Sequence, residues 1–300
     1  GGVRGRNFSF KRNSSYSIAK VPYGTWIIRE IESPKGYVLS EEEIAVTIGK
    51  VDEVVEIKLV NYFIKGNIAL TKVDEDYPDN KLSGAVFEVY SDTNGDGKLD
   101  KDDTLLGEMK ELDGGVYQMS ELRYGKYLVK ETKAPTGFVL DENVYSVSVE
   151  ENGKTYTVEN KAGVGFINAA QKGSLKIVKT SSDGKVEGFS FRVTGVDYDQ
   201  TFKTDKNGEI VIDGMRIGDY TVSEVSDKAS AGYILPADKQ ATVKVDATAI
   251  VQMHNEFRDT PKTGDDFNLG LWVSLAALSV VGAGVLGFVS YKNRKKKKED

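Results

Sequence analysis

Along the first 260 residues, apolar and polar positions alternate in short runs, and Gly, Asn and Asp stand between the runs. Val, Ile, Tyr and Thr dominate within them. A period of two with frequent turn signals predicts short β-strands packed as sandwiches. No segment before Phe267 keeps a 3.6-residue period. The pattern changes at Phe267–Tyr291, 25 positions without a charge. At ~1.5 Å per helical residue that run reaches ~37 Å, enough to cross a bilayer with some tilt. Six basic residues follow at once in 292–300, which by the positive-inside tendency stay cytoplasmic.

The β-patterned body repeats itself. Val21–Tyr37 (VPYGTWIIREIESPKGY), Leu122–Phe138 (LRYGKYLVKETKAPTGF) and Met215–Tyr233 (MRIGDYTVSEVSDKASAGY) echo one another. So do Gly66–Lys72 and Gly173–Lys179, and the runs ending at Asn61, Asn168 and Asn255. The expected organisation is a partial repeat at 1–65, a full repeat at 66–172 and another at 173–259. The chain opens without Met and inside a repeat, so it reads as a fragment.

The repeats hold three polar residue types in register. Glu30, Glu131 and Glu224 each lie six residues after a Gly, and so do Lys72 and Lys179. Asn61 and Asn168 each lie five residues before the Gly that opens the next repeat. Strand parity puts Glu131 with Tyr127 and Val129, Glu224 with Tyr220 and Val222, and Glu30 with Trp26 and Ile28. Lys72 follows Ile68 and Leu70, Lys179 follows Leu175 and Ile177, Asn168 follows Phe166, and Asn255 follows Met253. All therefore point to the apolar face. A lone buried Lys or Glu costs several kcal/mol unless paired. Burial favours the neutral forms, and a neutral amine is a nucleophile. A protonated Glu donates to an amide carbonyl and shuttles protons. Held together, such groups can join Lys Nζ to Asn Cγ and release ammonia. Asn160 is a rival for Asn168, because it too ends a strand-like run; the spacing of five favours Asn168.

This constellation resembles the Cna B-type or SpaA-type isopeptide domains of Gram-positive pilins and adhesins. ETKAPTGF at Glu131–Phe138 matches that family's glutamate segment well, EIESPKGY at Glu30–Tyr37 nearly, and EVSDKASAGY at Glu224–Tyr233 loosely. The resemblance covers about residues 1–259. It implies an all-β chain of tandem immunoglobulin-like sandwiches followed by a C-terminal transmembrane helix. It also implies bonds Lys72–Asn168 with Glu131 as catalyst and Lys179–Asn255 with Glu224. The partial repeat keeps Glu30 and Asn61; Lys11 and Lys20 sit outside the expected opening strand.

Composition sharpens this picture. The chain has no cysteine, so any staple is not a disulfide. Net charge is −6, and the basic tail leaves the rest at −10, which argues against a nucleic-acid partner. Its one histidine, His254, has the opposite parity to Asn255 and reads as a surface residue. No Ser-His-Asp set, phosphate-binding Gly loop or Cys–His metal spacing is present, so the chain is not expected to be an enzyme beyond acting once on itself.

Before the apolar span stands Thr260-Pro261-Lys262-Thr263-Gly264. This order of PKTG, apolar span and basic tail resembles the sortase sorting signal, LPXTG in its usual form, with Thr260 in place of Leu. The resemblance implies cleavage between Thr263 and Gly264 and an amide from Thr263 to peptidoglycan or to a pilin lysine. The expected partners are then sortase, the membrane before sorting, and a host-matrix or cell-surface ligand. The expected place is the Gram-positive cell wall. Alternatives are a minor or basal pilin, or the spacer of a surface enzyme with an upstream catalytic domain. A shaft pilin would need a donor-lysine motif, and Tyr77-Pro78 is followed by Asp79.

One further motif lies in 92–103. Asp92, Asn94, Asp96 and Asp100 fall at positions 1, 3, 5 and 9 of a loop with Gly97 at position 6. This resembles an EF-hand-type calcium loop, with the Lys98 carbonyl at position 7 and Asp103 instead of Glu at position 12, as in dockerin-like loops. Lys-to-Glu spacing is 59 residues in the second repeat and 45 in the third, so the loop reads as an insertion between strands. Calcium is the one expected ligand ion, and no cofactor is required.

Overall fold

A computed structural model describes residues 15–258. Among these, every regular element is a β-strand, and no helix is long and apolar enough to cross a membrane. The sorting peptide 260–264, the apolar span 267–291 and the basic tail 292–300 lie outside the described residues. The chain divides into two compact units, the main body of one running to Gly173 and that of the other starting at Ser174.

In the first unit, the second repeat forms two sheets. One runs in the order Thr155–Thr157, Lys65–Asp74, Val116–Arg123, Lys110–Glu111, with Phe166–Asn168 also paired to Lys65–Asp74. The other runs Thr104–Glu108, Val86–Ser91, Gly125–Lys133, Val144–Val149. Alternate residues of both sheets enter one core: Ile68 and Leu70 meet Phe87, Val89, Tyr117, Val129, Val149 and Phe166. This is the sandwich that a period of two dictates, since each sheet has one apolar face to cover.

The second unit repeats the plan. One sheet runs Glu209–Arg216, Lys172–Ser181, Thr248–Phe257, Tyr233–Ile234, and the other Tyr198–Lys203, Ser190–Gly195, Gly218–Val225, Lys239–Val243. Leu175, Ile177, Phe191, Val193, Val222, Val251 and Met253 are its buried residues from facing strands. In both units the opening strand (Lys65–Asp74, Lys172–Ser181) lies parallel to the closing strand (Phe166–Asn168, Thr248–Phe257). First and last strands are therefore neighbours, about 4.8 Å apart.

The partial repeat departs from the alternation. Gly24–Arg29 pairs antiparallel with Glu43–Ile48, and Val46 is the buried hydrophobic residue of this ribbon. Trp26, expected on a covered face with Glu30, is 38% exposed. Among the described residues no second sheet packs on the ribbon, so its apolar face stays partly open. The run expected as a strand ending at Asn61 likewise has no ladder partner over 53–62, and Val54 and Val60 are exposed.

Glycine pins each opening strand beside its lysine. The Lys72 amide donates to the Gly115 carbonyl at 2.7 Å, and the Lys179 amide donates to the Gly208 carbonyl at 2.8 Å. Gly208 has φ +78°, and a Cβ there would stand 2.7 Å from the Lys179 carbonyl oxygen and from Val186 Cβ. Both the turn and the close approach need a residue without a side chain. Gly208→Ala is expected to destabilise the second unit by roughly 1–3 kcal/mol. A lowered urea midpoint will report it, and an unchanged midpoint would show that the strand is held elsewhere.

A buried lysine, glutamate and asparagine in each sandwich

Register brings the three residue types together. Phe166 lies opposite Lys72 and Asn168 opposite Asp74; Met253 lies opposite Lys179 and Asn255 opposite Ser181. In both units the Asn is thus one step of two beyond the Lys, on the same face of the neighbouring strand. The glutamate comes from the facing sheet, where Glu131 is paired with Phe87 and Glu224 with Phe191.

In the second repeat all three side chains are sealed from water: Lys72 and Glu131 are 0% exposed and Asn168 is 3% exposed. Lys72 Nζ stands 3.8 Å from Glu131 Oε1 and donates to the Phe166 carbonyl at 3.1 Å. Its ammonium also lies 5.0 Å from the Phe166 ring centre. Asn168 Nδ2 donates to Glu131 Oε1 and Oε2 at 3.0 and 2.9 Å. Glu131 Oε2 accepts as well from the Asp141 amide at 2.9 Å. Asn168 Oδ1 is buried with no hydrogen-bond partner. A half-turn of the amide would hand that oxygen to a protonated Glu131 and turn Nδ2 away as a leaving group.

Burial lowers the Lys72 pKa to about 8, against the pull of the Glu131 and Asp141 charges. Burial also raises that of Glu131, against the hydrogen bonds from the Asp141 amide and Asn168 and the Lys72 charge. Both groups are pushed toward neutrality, the state in which the amine attacks and the carboxyl donates. At pH 7 roughly a tenth of such an amine is unprotonated.

The third repeat holds the same residues with different contacts. Lys179 and Asn255 are buried and Glu224 nearly so. Asn255 Nδ2 donates to Glu224 Oε1 at 2.7 Å. Lys179 Nζ donates to the Thr180 carbonyl and lies 4.2 Å from the Phe189 ring centre. Burial lowers the Lys179 pKa and raises that of Glu224. Glu224 Oε2 and Asn255 Oδ1 are buried without partners. In the partial repeat, half-buried Asn61 donates to both oxygens of Glu30 at 2.7 and 2.8 Å, and the Ser40 amide donates to Oε2 at 2.8 Å. Lys20 is exposed and Lys11 lies outside the described residues.

Asn160 stands apart from the lysine. Its Nδ2 donates to Asp141 Oδ2 and to the Ile167 carbonyl, both at 2.9 Å, and its Oδ1 accepts from the Ile167 amide at 2.6 Å. It braces the closing strand against Asp141. Neither this brace nor the Asp141 amide was evident from residue spacing, because backbone donors leave no composition signal. His254 is on the surface, bonded through Nδ1 to Thr180 Oγ1 at 2.8 Å.

The 92–103 segment joins Val86–Ser91 to Thr104–Glu108, where the third repeat has only Val196–Asp197 between Ser190–Gly195 and Tyr198–Lys203. Its carboxylates accept from its own backbone: Asp92 from Gly95 and Gly97, Asp96 from Lys98, and Asp103 from Thr93 and Asp100. Asn94 Nδ2 donates to Asp100 Oδ2 at 3.2 Å. Among the described residues no group of three or more acidic, His or Cys side chains is gathered as a metal site.

The SpaA prealbumin-like fold domain matches residues 7–62, 66–162 and 173–257. Among solved structures the chain is similar to the Bacillus anthracis TIE protein, at 25% identity and a TM-score of 0.60. That match covers 79% of this chain and 42% of the other, so the chain spans less than half of that protein's length. It is also similar to the minor pilin of the Gram-positive pathogen Streptococcus agalactiae, at 16% identity and TM-score 0.32, over 66% of this chain and 98% of that one. A third similarity is to the pilus adhesin SpaC of Lactobacillus rhamnosus GG, at 14% identity and TM-score 0.40, over 66% of this chain and 32% of that one. No curated protein matches the chain.

Folding lowers the proton affinity of Lys72 from 10.5 to about 8, so between those values the unfolded chain binds more protons. Stability must then rise with pH across that window. An Asn168→Ala variant, which has no amide for the amine to attack, is expected to show a urea midpoint that climbs from about pH 8 to pH 10.5. Adding Lys72→Met is expected to remove the climb; equal profiles for the two variants would assign it to other groups.

Proposed function

The chain belongs to the SpaA family of prealbumin-like domains, and from that premise we propose that it is a pilin- or adhesin-related surface stalk closed by internal Lys–Asn amides. The observation that carries this reading is the buried Lys72–Glu131–Asn168 cluster in the second repeat, with its counterpart in the third. The neutral Lys72 amine adds to Asn168 Cγ while protonated Glu131 lends its proton to Oδ1; the Glu131 carboxylate so formed moves a proton from Nζ to the departing nitrogen and recovers its own as the carbonyl re-forms. One Nζ–Cγ bond forms, the Cγ–Nδ2 bond breaks, and ammonia leaves. Lys179, Glu224 and Asn255 take the same roles. Each glutamate serves its own chain once, so the stalk is not an enzyme.

The placement of the bond gives it a mechanical consequence. It joins the opening strand to the closing strand, so tension entering at one and leaving at the other passes through an amide instead of the hydrogen-bonded ladder. It also closes a loop of nearly a hundred residues, which on the disulfide scale stabilises by roughly 4.7 kcal/mol.

The same reading places the chain on a Gram-positive cell surface, anchored by sortase through Thr263 to peptidoglycan or a pilin lysine. What supports this half is the order of the sorting peptide, apolar span and basic tail in the sequence. The Asp92–Asp103 loop is taken as a weak extracellular calcium loop, supported by the spacing of its oxygens alone.

Intact mass tests the covalent claim. Two bonds will lower the mass by about 17 Da each, the ammonia lost when a near-attack pair condenses. Glu131→Ala is expected to restore one increment and leave the other. A mass equal to the unreacted sequence would end the reading. For the loop, calorimetry with millimolar calcium is expected to show heat that Asp92→Ala abolishes, and no heat would remove calcium from the account.

A further inference from the structure

The three glutamates differ in one backbone contact, and the difference is written in the chain. In each repeat the aromatic residue of the Gly-aromatic pair sits opposite the residue two beyond the Asn: Tyr37 opposite Phe63, Phe138 opposite Ala170, Tyr233 opposite Phe257. The register is therefore the same in all three. The third residue after each aromatic then falls at an equivalent place, and these residues are Ser40, Asp141 and Pro236. The amides of Ser40 and Asp141 donate to Glu30 and Glu131 at 2.8 and 2.9 Å. Proline has no N–H to give. Glu224 Oε2 is correspondingly a buried oxygen with no partner.

We propose that this amide is a positioning donor that holds the glutamate carboxyl in the first two repeats, and that Pro236 withdraws it from the third, so that Glu131 and Glu224 release their protons over different pH ranges. A hydrogen bond to the ionised form favours that form, so a carboxyl that lacks the bond keeps its proton to higher pH. The neighbours of each group are few. Glu131 faces Lys72, Asn168 and the Asp141 carboxylate; Glu224 faces Lys179, Asn255 and Asp227. The inference rests on the condensation reading for the use of the proton, since the protonated carboxyl is the form that donates to the amide. It makes the third repeat the one that retains its acid as pH rises.

The experiment uses the full chain carrying Lys72→Met and Lys179→Met, which blocks condensation and removes the unequal lysine contacts. Carbon-13 NMR follows the two glutamate carboxyls through pH. Glu224 is expected to titrate on the order of one pH unit above Glu131, and Pro236→Ala is expected to bring it down by a similar amount. Asp141→Pro is expected to raise Glu131, whereas Asp141→Ala, which keeps the N–H, will not. The idea is overturned if Pro236→Ala leaves a folded Glu224 unmoved, or if the two Asp141 variants move Glu131 alike. Failure of the covalent reading would appear separately, as an unchanged wild-type mass, and would leave this titration standing.

Discussion

The structure turns on placing an amine, a carboxyl and an amide where water cannot reach them. An amine and a carboxyl 3.8 Å apart, each pushed by burial toward its neutral form under two phenylalanine rings, make an arrangement that a sheet sandwich tolerates only if each polar atom finds a partner. The second repeat comes close: Glu131 is bonded three times, Lys72 is bonded to a carbonyl, and one amide oxygen remains. That remaining orphan is informative. A buried acceptor without a donor is a group whose free energy falls if the chemistry around it changes. Condensation would be one such change, since it would replace an ionisable amine by a neutral amide in an apolar core.

Register is what makes the encounter reproducible. A parallel pair with the Asn two residues beyond the Lys keeps both on one face, and a slip of one residue would turn one of them to the surface. The turn glycines, the aromatic lining and the brace from Asn160 all oppose such a slip. The third repeat shows how far the arrangement can vary: its Lys179 bonds to its neighbour's carbonyl, and its glutamate has a single side-chain donor. The residues are the same while the hydrogen bonds are not, so under the proposed condensation the two sandwiches would differ in rate or pH dependence.

Much of this was legible in the sequence. The period of two gave the sandwiches, and parity gave the inward faces of Lys72, Glu131, Asn168, Lys179, Glu224 and Asn255, because side-chain direction in a strand is fixed by geometry alone. Asn160 shows the limit of that logic, since ending an apolar run does not decide which strand a residue faces. Parity also failed at Trp26 and along the run to Asn61. Alternation states which face would be apolar, while burial requires a second sheet to cover it, and the described residues supply none there. Backbone donors such as the Asp141 amide were invisible, because every residue except proline carries one. Pro236 is legible for the converse reason.

The lack of cysteine gives these observations a common direction. A folded domain is stable by only roughly 5–15 kcal/mol, so a single covalent closure would be a large addition to it. A disulfide would supply closure, but its persistence depends on the redox state around it. An amide formed from groups the fold itself carries has no such dependence and needs no partner chain. It does require that the fold be complete before the bond can form, since lysine and glutamate belong to different sheets and the asparagine to the last strand. On the proposed reading, packing would come first and covalent closure second. A sandwich that has closed records, in its mass, that its core was assembled in register.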